Sequence, residues 1–242
     1  AEVFYRVMEK NNTIQSAEIQ SGVHSVILAK DVIPDGQMKV DMAMHAEMDM
    51  QDTTDLKYLA QFASSILGQD RYSQVFYTDG YYYVDANGVK LKYPMPLEQI
   101  ISSVQTGVNT SNMESSYMKG ISLNEVNGKR VLAYEANPKK LNKNVKEALG
   151  TVMNTLGTDV NLDMNIQEMK GAYVLDDNDY IIYMTNYIGY NREVLDQPMT
   201  CITLMETEVQ NPGEPVVVTL PSTDGYEDLI GLYDGVIESE VE

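Results

Sequence analysis

Apolar and polar residues alternate along the segment from residue 38 to residue 50, MKVDMAMHAEMDM. Methionine, valine and alanine occupy the even positions, and most odd positions are charged or polar. Because successive side chains of a β-strand point to opposite faces, this period of two predicts a strand with one apolar face. The prediction places Met38, Val40, Met42, Met44 and Met48 on a concave, helix-facing side and Lys39, Asp41, His45 and Glu47 toward water.

Three two-residue turns of the Asp-Gly or Asn-Gly type predict β-hairpins, at residues 79–80, 87–88 and 127–128. The first two together predict a three-stranded meander from residue 73 to residue 93. In that register Asp85 faces Lys90, an opposite-charge pair that supports the alignment.

The remaining segments predict more strands than helices. Further strands are expected in 16–33, 171–190 and 199–210, from their alternating β-branched and aromatic residues. Helices are expected at 2–12, 53–68, 96–107 and 137–157, where apolar residues recur every three or four positions between capping residues. Thr54 and Asn137 are the expected N-caps of the second and fourth helices, and Gly68 ends the second. Adjacent strands joined by short turns indicate an antiparallel sheet with one apolar face.

Composition excludes several classes of function. The 242-residue chain carries a formal net charge of -19, which disfavours nucleic acid and direct adhesion to anionic lipid. Its one cysteine, Cys201, lies in an apolar segment and is expected to be a buried, inert thiol. The S-x-x-K pattern from Ser116 to Lys119 lacks the partner motifs of penicillin-recognising enzymes. No cofactor motif or catalytic constellation is found, and no metal is expected at His45 or the methionines, so the chain is predicted not to be an enzyme.

The order of elements resembles Gram-positive surface lipoproteins with the LolA/LppX-type half-barrel. The resemblance is carried by the N-terminal helix before "IQSAEIQSGVHSVILA", the methionine strand, "YTDGYYYVDANGVK" and the late "VVVTLP". It implies an α+β fold: a strongly curved antiparallel sheet with a few helices packed on its concave face. It also implies one domain over 1–242 and anchoring outside the cell through an acylated N-terminal cysteine that precedes this sequence. The acidic C-terminal tail is expected to be loosely held from about residue 222.

Flexible methionines and amphipathic tyrosines on one curved face are suited to an irregular apolar guest. Together with the location that the resemblance implies, this predicts a non-enzymatic, monomeric, extracytoplasmic protein that binds a lipid-like ligand between sheet and helices. The candidate lining residues share the inferred apolar face: Met42, Met44, Val75, Tyr77, Tyr82, Val84, Leu91 and Tyr93. The alternative is a cell-surface interaction or signalling module whose helices fill the cleft.

Overall fold

The computed structural model describes residues 2–29, 33–52, 55–101, 117–143, 164–194 and 197–229. The chain begins with helix α1 (Glu2–Asn11), and a short 3-10 turn spans Pro34–Gly36. The first six strands are β1 (Ser16–Leu28), β2 (Gln37–Asp49), β3 (Lys57–Ile66), β4 (Gln69–Thr78), β5 (Tyr81–Ala86) and β6 (Val89–Pro94). The next six are β7 (Met118–Val126), β8 (Lys129–Ala136), β9 (Met164–Leu175), β10 (Ile181–Val194), β11 (Gln197–Gln210) and β12 (Glu227–Asp228). Residues 97–101 and 138–143 are also helical.

The twelve strands form one open sheet in the order β12-β6-β5-β4-β3-β2-β1-β11-β10-β9-β8-β7. All neighbouring strands in the described residues are antiparallel except β12, which pairs with β6 in parallel. From β1 the chain thus continues as a meander of neighbouring strands to β6. Strand β11 pairs with the other side of β1. This arrangement confirms the predicted antiparallel α+β architecture.

The sheet is strongly curved. Met184 on β10 and Tyr93 on β6 line the same cavity, although seven strand-to-strand intervals separate them in the sheet order. At about 4.8 Å per interval, a flat sheet would place these strands roughly 34 Å apart. The sheet must therefore bend around the cavity, and we call the side that faces the cavity the inner face.

The predicted hairpin turns and registers are confirmed. Asp79, Asn87 and Asn127 have positive φ values of 53°, 52° and 53°, and each is followed by a glycine that also has positive φ. These pairs fit the tight turns that match the twist of antiparallel strands. Asp85 pairs with Lys90, and Tyr82 pairs with Tyr77 on one side and Tyr93 on the other.

The helix predicted over 53–68 is wrong, because residues 57–66 form strand β3. Leu59 is buried in a cluster on the outer face, and Ala60 is fully buried on the inner face. Since both faces of this strand are covered, its apolar residues do not alternate, and their spacing imitates a helical stripe. Gly68 is the second residue of a tight hairpin turn rather than a helix end, and Thr54 lies outside the described residues.

The three other predicted helices begin where the sequence places them. Helix α1 buries Phe4, Val7 and Met8 against the inner-face residues of β8 and β9. Asn137 caps the helix at 138–143, since its Oδ1 accepts hydrogen bonds from the backbone N–H groups of Lys139 and Lys140 at 3.1 and 3.4 Å. The predicted continuations over 102–107 and 144–157 lie outside the described residues.

A charged cluster ties α1 to the sheet. Asp179, in the loop between β9 and β10, accepts hydrogen bonds from Arg6 Nε at 2.9 Å and from Arg130 Nη1 at 2.7 Å. Burial opposes ionisation of this carboxyl, but the hydrogen bonds and charges of Arg130 and Arg6 outweigh it and hold the pKa of Asp179 below its usual range. Asn11 adds a second tie, since its side chain donates to Asp179 O and accepts from the N–H of Ile181.

The outer face is partly covered by the C-terminal arm, residues 215–229. Tyr226 packs edge-on against Phe76 and Tyr83, which stack on each other with ring centroids 4.5 Å apart. Val218 joins the same buried cluster. In the tail predicted to be loose from about residue 222, Tyr226 is buried and Glu227–Asp228 pair with β6, whereas 222–225 are exposed; 230–242 lie outside the described residues.

We predict that Gly171→Ala destabilises the fold by about 2 kcal/mol or more, as overpacking does. A Cβ at residue 171 would lie 2.5 Å from Thr185 O, 2.6 Å from Asn186 Oδ1 and 2.7 Å from the hydroxyl of Tyr134. The matched control is Gly120→Ala on strand β7, where nothing lies within 4 Å of an added Cβ. Urea unfolding of the three proteins measures the difference, and equal midpoints for the two variants would contradict this packing.

We also predict that Asp179→Asn lowers the free energy of unfolding by about 1.5–3 kcal/mol near neutral pH, the usual net contribution of hydrogen bonds to charged groups. Asparagine tolerates the positive φ of 67° at this position, so the change tests the charge and not the backbone. Exposed Asp177→Asn in the same loop is the control.

The pH dependence of this effect has a defined sign. Because the folded pKa of Asp179 is depressed, its contribution is present above its unfolded pKa of about 3.9 and is lost as pH falls through the lower folded value. The stability difference between wild type and Asp179→Asn should therefore be constant near neutral pH and shrink below about pH 4. A stability difference that persists unchanged in acid would show that the ion pairs of Asp179 contribute nothing to the free energy of unfolding.

Candidate functional site

Small side chains at neighbouring positions create a cavity on the inner face. Along one cross-strand row, Ile19 pairs with Ala46, Ala46 with Ala60, and Ala60 with Val75. The row below contains Ala17, and the row above contains Ser21 and Ser73. Alternation within each strand directs all of these side chains inward, and the small ones that line the cavity, Ala17, Ser21, Ala46 and Ser73, leave space that larger residues would fill.

The cavity has a volume of about 800 Å³ and is lined mainly by apolar side chains. Its size lies in the range of small-molecule pockets, roughly 300–1,000 Å³. Six methionines are among the lining residues: Met42, Met44, Met48, Met95, Met184 and Met205. Methionine is flexible and polarisable, so such a lining adapts to ligands of irregular shape.

One end of the cavity is closed and the other is open. At the level of Met48, the side chains are buried by Met95 and by Ile100 of the helix at 97–101. Six residues away along β2, about 20 Å at 3.3 Å per residue, Met42 is 43% exposed. We call the level of Met48 and Tyr58 the closed end, and the level of Met42 and Ser64 the open end.

None of the described residues that line the cavity is charged. The lining contains no Asp, Glu, Lys, Arg or His, although such residues are frequent elsewhere in the chain. Its polar groups are Ser, Thr, Asn and Tyr side chains, and several already have partners. Ser21 and Thr207 bond each other at 2.8 Å, and Asn11 is used in the contacts with the β9–β10 loop.

Three tyrosines line the closed end. Tyr58 and Tyr82 lie on either side of Tyr77 in one cross-strand row, and Tyr93 follows Tyr82 with a ring-centroid distance of 5.5 Å. Burial raises the pKa of Tyr58 and Tyr93, and burial with the neighbouring Tyr58 and Tyr93 raises the pKa of Tyr82. These hydroxyls therefore remain protonated, and each is able to donate and to accept a hydrogen bond.

The eight residues predicted to line a cleft all lie on the inner face, but they do not all reach the cavity. Met42, Met44, Tyr82 and Tyr93 line it. Val75 and Tyr77 pack in the core cluster beside it, and Val84 and Leu91 are half-buried toward β6. Contact of any of these residues with a ligand stays a prediction.

The sequence-based prediction named none of the lining residues from β1, β10 and β11. These strands supply Ala17, Ile19, Ser21, Met184, Met205, Thr207 and Val209. The alternation of Ala17, Ile19, Ser21 and Val23 was available as a signal in β1. The pairing of β1 with β11, about 185 residues later in the chain, was not, because register between distant strands is set by the folded sheet.

The burial of the methionine strand changes along its length. Met48 is buried and Met44 is half-buried, as predicted for the inner side, whereas Met42 at the open end is more exposed than expected. On the other face Lys39 and Asp41 are exposed, but His45 and Glu47 are half-buried. Each residue of this strand lies on the face that the alternation predicts. How far its side chain is buried depends on which residues pack over that part of the sheet.

A second, wider groove of about 1,110 Å³ lies mainly along the outer face. It is lined by polar and acidic residues, including Glu18, Glu206 and Glu208. His45 Nε2 lies 3.2 Å from Glu18 Oε1, and Tyr183 donates to Glu206 Oε1 at 2.6 Å, a bond that raises the pKa of Tyr183. We favour the inner cavity as the ligand site because it is more enclosed and more apolar, whereas the acidic groups here pair with neighbours on an open surface.

The two histidines do not form a metal site with described residues. His24 Nδ1 lies 2.7 Å from Asp41 Oδ1 on the exposed outer face. Within the described parts of the chain no group of three His, Cys, Asp or Glu side chains is arranged to hold a metal ion. Cys201 is buried, and Ser116 lies outside the described residues. No helix in the described ranges is long and apolar enough to cross a membrane.

Comparison with solved structures finds neighbours of the kind that the resemblance predicts. The lipoprotein LppX of Mycobacterium tuberculosis aligns with 90% of this chain and 97% of its own, at 10% identity and a TM-score of 0.39. LprF of Mycobacterium bovis aligns with 91% of this chain and 96% of its own, at 10% identity and a TM-score of 0.37.

A beta-barrel-like protein of a domain of unknown function from Brucella abortus also aligns. The alignment covers 81% of this chain and 99% of that one, at 9% identity and a TM-score of 0.26. No protein-family model and no curated protein matches the sequence.

Proposed function

We propose that this protein is a non-enzymatic, extracytoplasmic binding protein that holds a lipid-like ligand in the inner-face cavity. The observation that carries the proposal is the cavity itself, about 800 Å³ of mainly apolar space without a charged group among its described lining residues. An acyl chain gains about 0.8 kcal/mol for each methylene group removed from water, before ordering costs. A chain of ordinary lipid length would therefore bind usefully even with loose contacts.

The rigidity of the surroundings supports a preformed site. The row of Ala46 and Ala60 is held from both sides by ladders of backbone hydrogen bonds, and the closed end is packed by Met95 and Ile100. Ala46, which lines the cavity, has no side-chain rotamer with which to fill the space beside it. The proposal also includes a monomeric state and anchoring at the cell surface through an N-terminal lipid.

The first test is binding to the wild-type protein. We expect native mass spectrometry of gently purified protein to show a bound lipid, or the delipidated protein to take up the uncharged fluorescent probe N-phenyl-1-naphthylamine. If folded protein neither carries nor takes up an apolar molecule, the proposed function is wrong, and the interaction-module alternative takes its place.

The second test locates the site with a matched pair of variants on β3. Ser64 lines the cavity at the open end, and Ser65, the next residue, faces the other side of the sheet. We predict that Ser64→Trp, which fills part of the cavity, weakens binding of the probe by about tenfold or about 1.4 kcal/mol. Ser65→Trp should bind like wild type.

Thermal unfolding checks that both tryptophan variants fold. Equal probe affinities in folded Ser64→Trp and Ser65→Trp would place binding outside the inner cavity and contradict the proposal.

A further inference from the structure

The cavity lining restricts the chemistry of the ligand's polar group. Cations that would neutralise a buried carboxylate or phosphate are absent from the described lining residues. Burying an ionised group without a partner costs several kcal/mol, so such a group would stay in water or take up a proton. The net charge of -19 makes the surroundings still less favourable to an anion.

Unengaged hydroxyls at the closed end provide the complementary feature. Among the described residues, the hydroxyl of Tyr77 donates to Met95 O at 3.3 Å, whereas no hydrogen bond is found for those of Tyr58, Tyr82 or Tyr93. These three side chains line the cavity beside one another, about 20 Å from the open end. Half-buried polar groups of this kind are normally satisfied, either by water or by a ligand.

We infer that the site takes an uncharged lipid, such as a monoacylglycerol or a long-chain alcohol, whose hydroxyl or ester group is bound by Tyr58, Tyr82 and Tyr93 at the closed end. This inference rests on the proposed function and adds the class of ligand and its orientation. The acyl chain extends from the tyrosines past the alanine and methionine side chains toward Met42. A neutral hydroxyl or ester both fits the phenol groups as hydrogen-bond partners and avoids the cost of an unpaired charge.

A charged residue on the inner face, beyond the cavity, provides the competing arrangement. Arg71 pairs with Ser64 across β3 and β4 and is exposed near the open end. A fatty acid could bind in the reverse direction, with its carboxylate beside this guanidinium in water. The two arrangements differ in which residues matter, so they are distinguishable by substitution.

The test compares three ligands of equal chain length: a monoacylglycerol, the corresponding fatty acid and the corresponding alkane. Each is measured by displacement of N-phenyl-1-naphthylamine. We expect the monoacylglycerol to bind at least about tenfold more tightly than the fatty acid at neutral pH. The difference in affinity between these two ligands should become smaller as pH is lowered toward the pKa of the fatty acid's carboxyl group, because the protonated acid is uncharged.

Tyrosine variants then locate the polar group. Tyr82→Phe and Tyr93→Phe should each weaken binding of the monoacylglycerol by about three- to tenfold, the effect of one lost neutral hydrogen bond. Binding of the alkane should be unchanged. Tyr81→Phe is the matched control, since Tyr81 belongs to the same strand and packs with the outer-face cluster. If the tyrosines had a purely structural role, the affinities for all three ligands would change together.

Two results would overturn the inference while leaving the proposed function in place. One is a fatty acid that binds as tightly as the monoacylglycerol at neutral pH and is weakened by Arg71→Gln. The other is a set of unchanged monoacylglycerol affinities in folded Tyr82→Phe and Tyr93→Phe. Failure of all three ligands and of the probe to bind would instead contradict the proposed function itself.

Discussion

Cross-strand register is the constraint on which the cavity depends. The pairing of β1 with β2, β2 with β3 and β3 with β4 brings Ile19, Ala46, Ala60 and Val75 into one row. A slip of one residue in any of these pairs would turn a strand's inner residues outward and direct charged side chains such as Glu47 into the cavity. The buried apolar side chains at the closed end oppose such a slip, because it would expose Met48 and bury a charge.

The curvature of the sheet encloses the space beside this row. Eight strands, β1 to β6 with β10 and β11, contribute to the lining, and only a bent sheet brings their inner faces together. Helix α1 then covers the β8–β9 side, and the helix at 97–101 covers the β2–β4 side. Ala46, Met48 and Ile100 of the first cluster also line the cavity, so the packed core forms part of the cavity wall.

The local features of the fold were predictable from the sequence, and the distant ones were not. Turns at Asn87 and Asn127 and the pairing of Asp85 with Lys90 depend on adjacent residues, so pattern alone placed them correctly. Strand β3 was misread because Leu59 and Ala60 are covered on opposite faces, and sequence periodicity assumes one covered face. Four of the eight predicted residues, from the methionine strand and the meander, line the cavity. The β10 and β11 contribution required the closure of β11 onto β1, which no local signal encodes.

The methionine methyl groups report directly on whether the inner cavity holds an apolar ligand. Protein labelled with ¹³C at the methionine ε-methyl groups would be titrated with a monoacylglycerol, with signals assigned by single Met→Leu substitutions. If the ligand lies in the inner cavity, we expect chemical-shift changes for the cavity methionines, Met42, Met44, Met48, Met95, Met184 and Met205. The signals of Met8 and Met169, which belong to other clusters, should remain in place. Changes confined to Met8 and Met169, or no change at any methionine at saturating ligand, would contradict binding in the inner cavity.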